Sequence, residues 1–283
     1  MTDQGERTRR WPPDCPLSFF NWRTKPRRRS LVPIDISTLD APLAFVHIPK
    51  TAGTSFVRYL EGHLPKDSIA PPFLGDFNTI QISDPSKKLF WGHFRFVDIA
   101  RYLPNALYLT FLRHPVARSY SQYKSWHDPL NFPKNDPWRK VMTPEQIDDV
   151  EFAQTVSFDE FVNGRRARFE TELRDVQTLM LSSDQPGTPQ FLSSAKENLA
   201  SMTFFGIVEE FDLSLKQLQR QISGFKTYEI ATRLENRSDA SQLSLSRKGA
   251  ERLSDMLQND MELYRFAVEL FSERTKGSLR CDL

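Results

Sequence analysis

Two stretches of this 283-residue chain place hydroxyls and cations where an anion could be held. The first is Phe45-Val46-His47-Ile48-Pro49-Lys50-Thr51-Ala52-Gly53-Thr54-Ser55, an apolar run that passes through small residues into a helical pattern. Free N–H groups at a helix start, the hydroxyls of Thr51, Thr54 and Ser55 and the mobile charge of Lys50 together suit a phosphate or sulfate group. Ala52 and Gly53 clear space for it. The order of residues fails the Walker A pattern, because Lys50 precedes the glycine and no Gly-Lys-Ser/Thr ending offers a hydroxyl to magnesium. The second stretch, Leu109-Thr110-Phe111-Leu112-Arg113-His114-Pro115-Val116-Ala117-Arg118-Ser119-Tyr120-Ser121, ends an apolar run in Arg113 and sets Ser121 eight residues on. A planar guanidinium and a hydroxyl can share one phosphate. Alone, Arg113 reads first as a surface ion pair and Ser121 as a helix-surface hydroxyl; together, downstream of the first stretch, they favour a phosphate site. Arg118 and His114 stay open, between a part in this site and, respectively, an exposed helix position and turn chemistry.

Of five histidines, His93 lies in Trp91-Gly92-His93-Phe94-Arg95-Phe96, just after a short apolar run. Histidine suits proton transfer near neutral pH, although a lone histidine among aromatics reads first as a core residue. His47 falls inside the apolar strand and reads as buried; His63 and His127 read as surface or helix-end residues.

These residues need elements to position them. Leu43 to Ile48, Leu89 to Trp91, Ala106 to Leu112 and Thr203 to Val208 are apolar runs of strand length, most of them followed by helical periodicity. Thr143-Pro144-Glu145-Gln146 and Ser157-Phe158-Asp159-Glu160 carry capping-box signatures, so 143 to 182 is predicted to be mostly helical. Leu253, Leu257, Met261, Tyr264, Val268 and Phe271 keep helical spacing and are predicted to form one last helix packed on the sheet. Strands alternating with helices predict a three-layer α/β/α domain around a central parallel sheet, with a helical annex. The expected boundaries are a basic Pro/Arg-rich lead-in over 1–40 and one domain over 41–283, with a substrate-shaping insert at about 125–200.

Composition agrees with a globular chain: 39% of residues are hydrophobic and 26% charged, with 22 Phe and 11 Gly. Of a formal charge of +2, residues 1–30 contribute eight Lys or Arg against three acids, which leaves the remainder slightly acidic. That tail could touch an anionic membrane surface; no nucleic-acid partner is expected. Phe19, Phe20 and Trp22 could pin it to the body. Two cysteines, Cys15 and Cys281, are too few for a disulfide framework. With no apolar leader after Arg9 and Arg10, they point to a cytoplasmic placement.

The stretch His47 to Ser55 closely resembles the 5′-phosphosulfate loop of sulfotransferases related to heparan sulfate 2-O-sulfotransferase. Arg113 and Ser121 are similar to that family's 3′-phosphate motif, and Gly92-His93 to the motif carrying its catalytic histidine. The resemblance implies a P-loop-like fold and sulfuryl transfer from PAPS (3′-phosphoadenosine 5′-phosphosulfate) to a hydroxyl, on a carbohydrate as first expectation. PAP is then the product, and no metal is required. Lys50 to Ser55, Arg113 and Ser121 would bind the donor, with Lys50 and His93 catalytic. Arg237, in Glu235-Asn236-Arg237-Ser238, occupies the place of a nucleotide-closing loop and reads equally as an exposed arginine. Arg174-Asp175-Val176-Gln177-Thr178 is similar to a helix segment near the active site. Arg247-Lys248-Gly249 imitates a cofactor motif of other sulfotransferases but falls at a helix start. Two rivals stand beside this reading: a metal-dependent kinase or ATPase, which needs a carboxylate where the second apolar strand offers only Arg113, and a non-catalytic module binding PAP or nucleic acid.

Overall fold

A computed structural model describes residues 34–35, 39–73, 77–131, 142–164, 166–225 and 244–278. Arg237, both cysteines and the aromatic residues of the lead-in lie outside the described residues. The strands are β1 (Ile34–Asp35), β2 (Leu43–Val46), β3 (Leu89–Gly92), β4 (Leu107–Leu112), β5 (Phe204–Ile207) and β6 (Ile222–Ser223). The helices are α1 (Gly53–Glu61), α2 (Phe96–Tyr102), α3 (Pro115–His127), α4 (Pro144–Thr155), α5 (Phe158–Asn163), α6 (Ala167–Leu173), α7 (Val176–Leu181), α8 (Phe191–Ser201), α9 (Phe211–Gln221), α10 (Arg247–Met256) and α11 (Gln258–Ser278). They form two compact units, and the division falls within α3, after Arg118.

The larger unit is built on a four-stranded parallel sheet of order β3-β2-β4-β5, with β1 and β6 paired beside it as a two-residue parallel ladder. Alternation along each strand gives the sheet two apolar faces. Ala44, Val46, Tyr108, Leu112, Phe205 and Ile207 point to one core, shared with α2, α7, α8 and α11. Leu43, Phe45, Leu109, Phe111 and Phe204 point to the other, shared with α1 and α9. This is the expected three-layer α/β/α arrangement, and its topology matters for function. The chain steps from β2 outward to β3, then crosses back to β4 on the other side of β2. The carboxyl end of β2 is therefore a switch point of the kind where open α/β sheets bind ligands. In register, Val46 pairs with both Gly92 and Thr110, so the residues after β2, β3 and β4 emerge side by side.

The smaller unit is helical. Phe161 stacks on Phe169 at 4.1 Å between ring centroids, and Tyr123 and Phe158 extend the aromatic core. Both predicted capping boxes are present, Thr143 with Gln146 and Ser157 with Glu160. Asp159 on α5 accepts from Ser246 N and Oγ at 2.9 and 2.8 Å, and Ser246 Oγ accepts from Gly249 N to cap α10. A Cβ at Gly249 would fall 2.0 Å from Asp159 Oδ1. The glycine of Arg247-Lys248-Gly249 is thus explained by close packing of α10 on α5.

The single last helix is corrected to two. Its periodicity runs through a break at Leu257, because α11 starts afresh with the Asp260 N–H donating to the Asp175 carboxylate at 2.9 Å. Leu263, Ala267, Leu270 and Phe271 reach the sheet core, whereas Leu253 and Leu257 are buried in the helical unit. The helices α7 and α8, from the latter part of the expected insert, pack on the sheet with α11.

Candidate functional site at the carboxyl ends of three strands

Three adjacent strands each deliver a predicted residue just past their ends. Lys50 follows β2 after a short turn, His93 follows β3 directly, and Arg113 follows β4 directly. Between β2 and α1 the backbone is held in an unusual shape: Lys50 and Ala52 take left-handed conformations, with φ of 69° and 60°. Each such residue costs on the order of 1 kcal/mol when it is not glycine. Backbone curled in this way turns N–H groups toward one point, as in anion-binding nests, and the first N–H groups of α1 have no helical acceptor. Strain kept at a helix start is a mark of a ligand site. Thr51 Oγ1 is buried and donates to Ile48 O at 2.8 Å. Its hydroxyl hydrogen pins the turn, so Thr51 offers an anion its N–H. Thr54 is exposed and Ser55 half-buried on the first turn of α1, where their hydroxyls can serve as expected.

Gly53 is required by space: a Cβ there would fall 1.9 Å from the His47 ring. That ring stacks on Phe45 at 5.4 Å and meets the His93 ring at 4.4 Å. Burial, then repulsion from His93 and Lys50, pushes His47 down to about 3, so it is neutral. His93 is exposed and its Nδ1 lies 2.7 Å from His47 O. A carbonyl oxygen can only accept, so Nδ1 carries the proton and Nε2 presents a lone pair. Gly92 before it has φ of 146°, and a Cβ there would meet Phe73 backbone and side chain at 2.6 to 2.9 Å. The close approach that Gly92 permits is thus to Phe73, which bridges onto the edge of β3. Arg95 donates to the carbonyls of Leu179, Ser182 and Asp184 and is occupied in capping α7.

Arg113 is 9% exposed and its Nη1 donates to Lys50 O at 3.3 Å, which joins the β4 end to the loop. Lys50 is held below the ordinary lysine range by burial and by repulsion from Arg113 and Arg118. Arg118 is not an exposed helix residue: it is fully buried, within electrostatic reach of Lys50 and of the buried Asp260. Three cations converge where the loop offers N–H groups. His114 N donates to Glu209 Oε1 at 2.9 Å, and Tyr264 Oη donates to Glu209 Oε2 at 2.8 Å. Both oxygens of that carboxylate thus accept hydrogen bonds within the fold, which ties the start of α3 to α11. Ser121 is buried on α3 and belongs to the helical unit, so its part in a phosphate site rests on sequence spacing. Asp260 and Glu209 were not legible as site residues, and Gln177 was placed near the site only through the resemblance of Arg174 to Thr178, since each acts through a partner distant in sequence.

The relatives narrow the reading. The zebrafish heparan-sulfate 6-O-sulfotransferase 3-B is 25% identical over 93% of this chain and 71% of its own length. The human heparan-sulfate 6-O-sulfotransferase 3 is 26% identical over 90% of this chain and 62% of its own. Both are 6-O enzymes, whereas the motifs suggested the 2-O group. The mouse sulfotransferase SULT7A1 complexed with PAP aligns at 13% identity over 78% of this chain and 64% of that one, with a TM-score of 0.36, too weak a likeness to bear on fold or ligand. The cytoplasmic placement is corrected by these relatives, because heparan-sulfate sulfotransferases act in the Golgi lumen. Two cysteines and a missing apolar leader describe a stretch of sequence and do not fix a compartment; among the described residues no helix is long and apolar enough to cross a membrane. A family model described as Sulfotransferase family matches residues 36–267, and with that match spanning both anion motifs and His93 the chain belongs to the Sulfotransferase family.

Proposed function

We propose that the chain transfers a sulfuryl group from PAPS to a hydroxyl of a carbohydrate, with heparan-sulfate-like glycans as the first acceptors to try because its relatives are named for that substrate. The observation that carries this reading is the convergence of Lys50, Arg113 and the start of α1 beside a histidine whose Nε2 is free to take a proton. The donor set suits an anionic nucleotide: Lys50, lowered by burial and then by Arg113 and Arg118, is relieved by an anion. PAPS, when bound, supplies an activated sulfuryl group on a phosphate leaving group. The loop from Lys50 to Ser55 holds the 5′-phosphosulfate through N–H groups and hydroxyls. Arg113 holds the 3′-phosphate, joined on sequence spacing by Ser121. Lys50 stabilises charge on the departing phosphate, and His93 Nε2 accepts the proton of the attacking hydroxyl. The insert at about 125–200 is assigned to shaping the acceptor, and Arg237, outside the described residues, is assigned to the donor's phosphate on sequence position alone.

Isothermal calorimetry with PAP, AMP, ADP and ATP tests the donor assignment. PAP is expected to bind at least about tenfold more tightly than AMP, the difference of one charge-assisted phosphate contact. Equal affinities for PAP and AMP, or preference for ATP with magnesium, would overturn it.

A further inference from the structure

The residue proposed to hold the 3′-phosphate sits beyond the sheet that should steady it. The ladder of β4 with β5 ends at Leu112 paired with Ile207, and that with β2 ends at Thr110 paired with Val46. At Arg113 the backbone has outrun these strand partners, and the chain turns into α3 two residues later. A long side chain on a loose pivot would lose more freedom on binding and aim less well.

Side chains take over where the strands stop. Arg113 N donates to Gln177 Oε1 at 2.9 Å, and Gln177 Nε2 donates to Arg113 O at 2.9 Å. The carboxamide thus reads both backbone groups of Arg113, as a neighbouring strand would. Gln177 is fully buried, so water cannot replace it. The next N–H, that of His114, goes to Glu209. Gln177 is itself held from beneath. Asp260 accepts from Gln177 N at 3.2 Å, from Thr178 N at 2.7 Å and from Thr178 Oγ1 at 2.8 Å. In return the Asp175 carboxylate accepts from Asp260 N and from Asn259 Nδ2 at 2.9 and 2.8 Å. The starts of α7 and α11 therefore cap each other, and Gln177 projects from that locked joint to the pivot of Arg113. The Arg113 guanidinium then reaches the Lys50 carbonyl.

We propose that Gln177 is a positioning residue for the donor's 3′-phosphate, clamping the Arg113 backbone from the α7–α11 joint that Asp260 holds. This deepens the proposed function and rests on its assignment of Arg113 to that phosphate. Gln177 touches no substrate in this account; its effect passes through Arg113.

PAP and AMP differ by the 3′-phosphate, so their affinity ratio reads the clamp. Calorimetry on the wild-type chain, Gln177→Met and Gln177→Leu is paired with the melting temperature of each without ligand. Freeing the two backbone groups is expected to weaken PAP about tenfold and to leave AMP within about twofold. In an Arg113→Ala background the Gln177→Met change should alter PAP affinity no further. A wild-type chain that binds PAP and AMP alike overturns the function on which the inference rests. If the wild type prefers PAP and Gln177→Met keeps that preference, or loses PAP and AMP equally, the function stands and the clamp is overturned. Failure of both variants to fold assigns Gln177 to stability alone and overturns it as well.

Discussion

Replacing Gly53 with alanine tests the loop geometry in a way that ordinary helix rules do not anticipate. Gly53 opens α1 without a positive φ, and by propensity alone Gly→Ala there stabilises by up to about 1 kcal/mol. The new methyl, however, would stand 1.9 Å from the His47 ring. That ring has little room to withdraw, with Phe45 stacked on it at 5.4 Å and His93 at 4.4 Å. Overpacking of this kind costs about 1–3 kcal/mol, so the clash outweighs the propensity gain and Gly53→Ala should destabilise by about 1–2 kcal/mol. The displaced ring would push on His93 or lift the loop from β2, so PAP affinity should fall as well, by about tenfold. Urea denaturation and calorimetry read the two effects. Shortening the ring removes the clash, so Gly53→Ala in a His47→Ala background should cost less than half of what it costs in the wild type. A Gly53→Ala protein as stable as the wild type with unchanged PAP affinity would refute the reasoning.

Lys50→Gln should weaken PAP binding and flatten its pH dependence. The lysine is depressed by burial and by Arg113 and Arg118, and an anion favours its charged form, so wild-type affinity is full below the lowered value and falls as pH rises through it; calorimetry between pH 7 and 10 checks this. Arg113→Lys keeps a cation but loses the planar fork, and should bring the PAP and AMP affinities within about threefold of each other. Asp260→Asn replaces by an NH2 one of the two carboxylate oxygens that accept from Gln177 N, Thr178 N and Thr178 Oγ1, and so leaves a buried donor unpaired; a cost of about 1–3 kcal/mol is expected from urea denaturation at pH 7. Burial raises Asp260 from 3.8 to about 6. The folded state then holds the extra proton between those values, so wild-type stability relative to Asp260→Asn should grow as pH falls from 7 to 5.

Much of the fold was legible because apolar runs of strand length ended at Pro49, Arg113 and Gly92, and because capping signatures at Thr143 and Ser157 marked real helix starts. That His93 and Arg113 directly follow strands was readable as a local fact, whereas their roles came from the resemblance to sulfotransferase motifs. What lay hidden was long-range. Gln177 meets Arg113 and Asp260 meets Thr178 across more than sixty residues, and no spacing encodes such pairs. Arg118 stayed ambiguous in the sequence because charge is usually at the surface, whereas here it is buried with an acidic group nearby. The break at Leu257 was hidden because apolar periodicity continues through it, while the signal that starts α11 comes from Asp175 in another element.

The central claim is that this chain moves a sulfuryl group with His93 as base. It is tested most directly by incubating the protein with ³⁵S-labelled PAPS and O-desulfated heparan sulfate, and counting label in the recovered glycan for wild type and His93→Ala. The account predicts transfer by the wild type and a loss of about 10²–10⁴-fold in His93→Ala, with PAP affinity unchanged by calorimetry. Transfer undiminished in His93→Ala would contradict it.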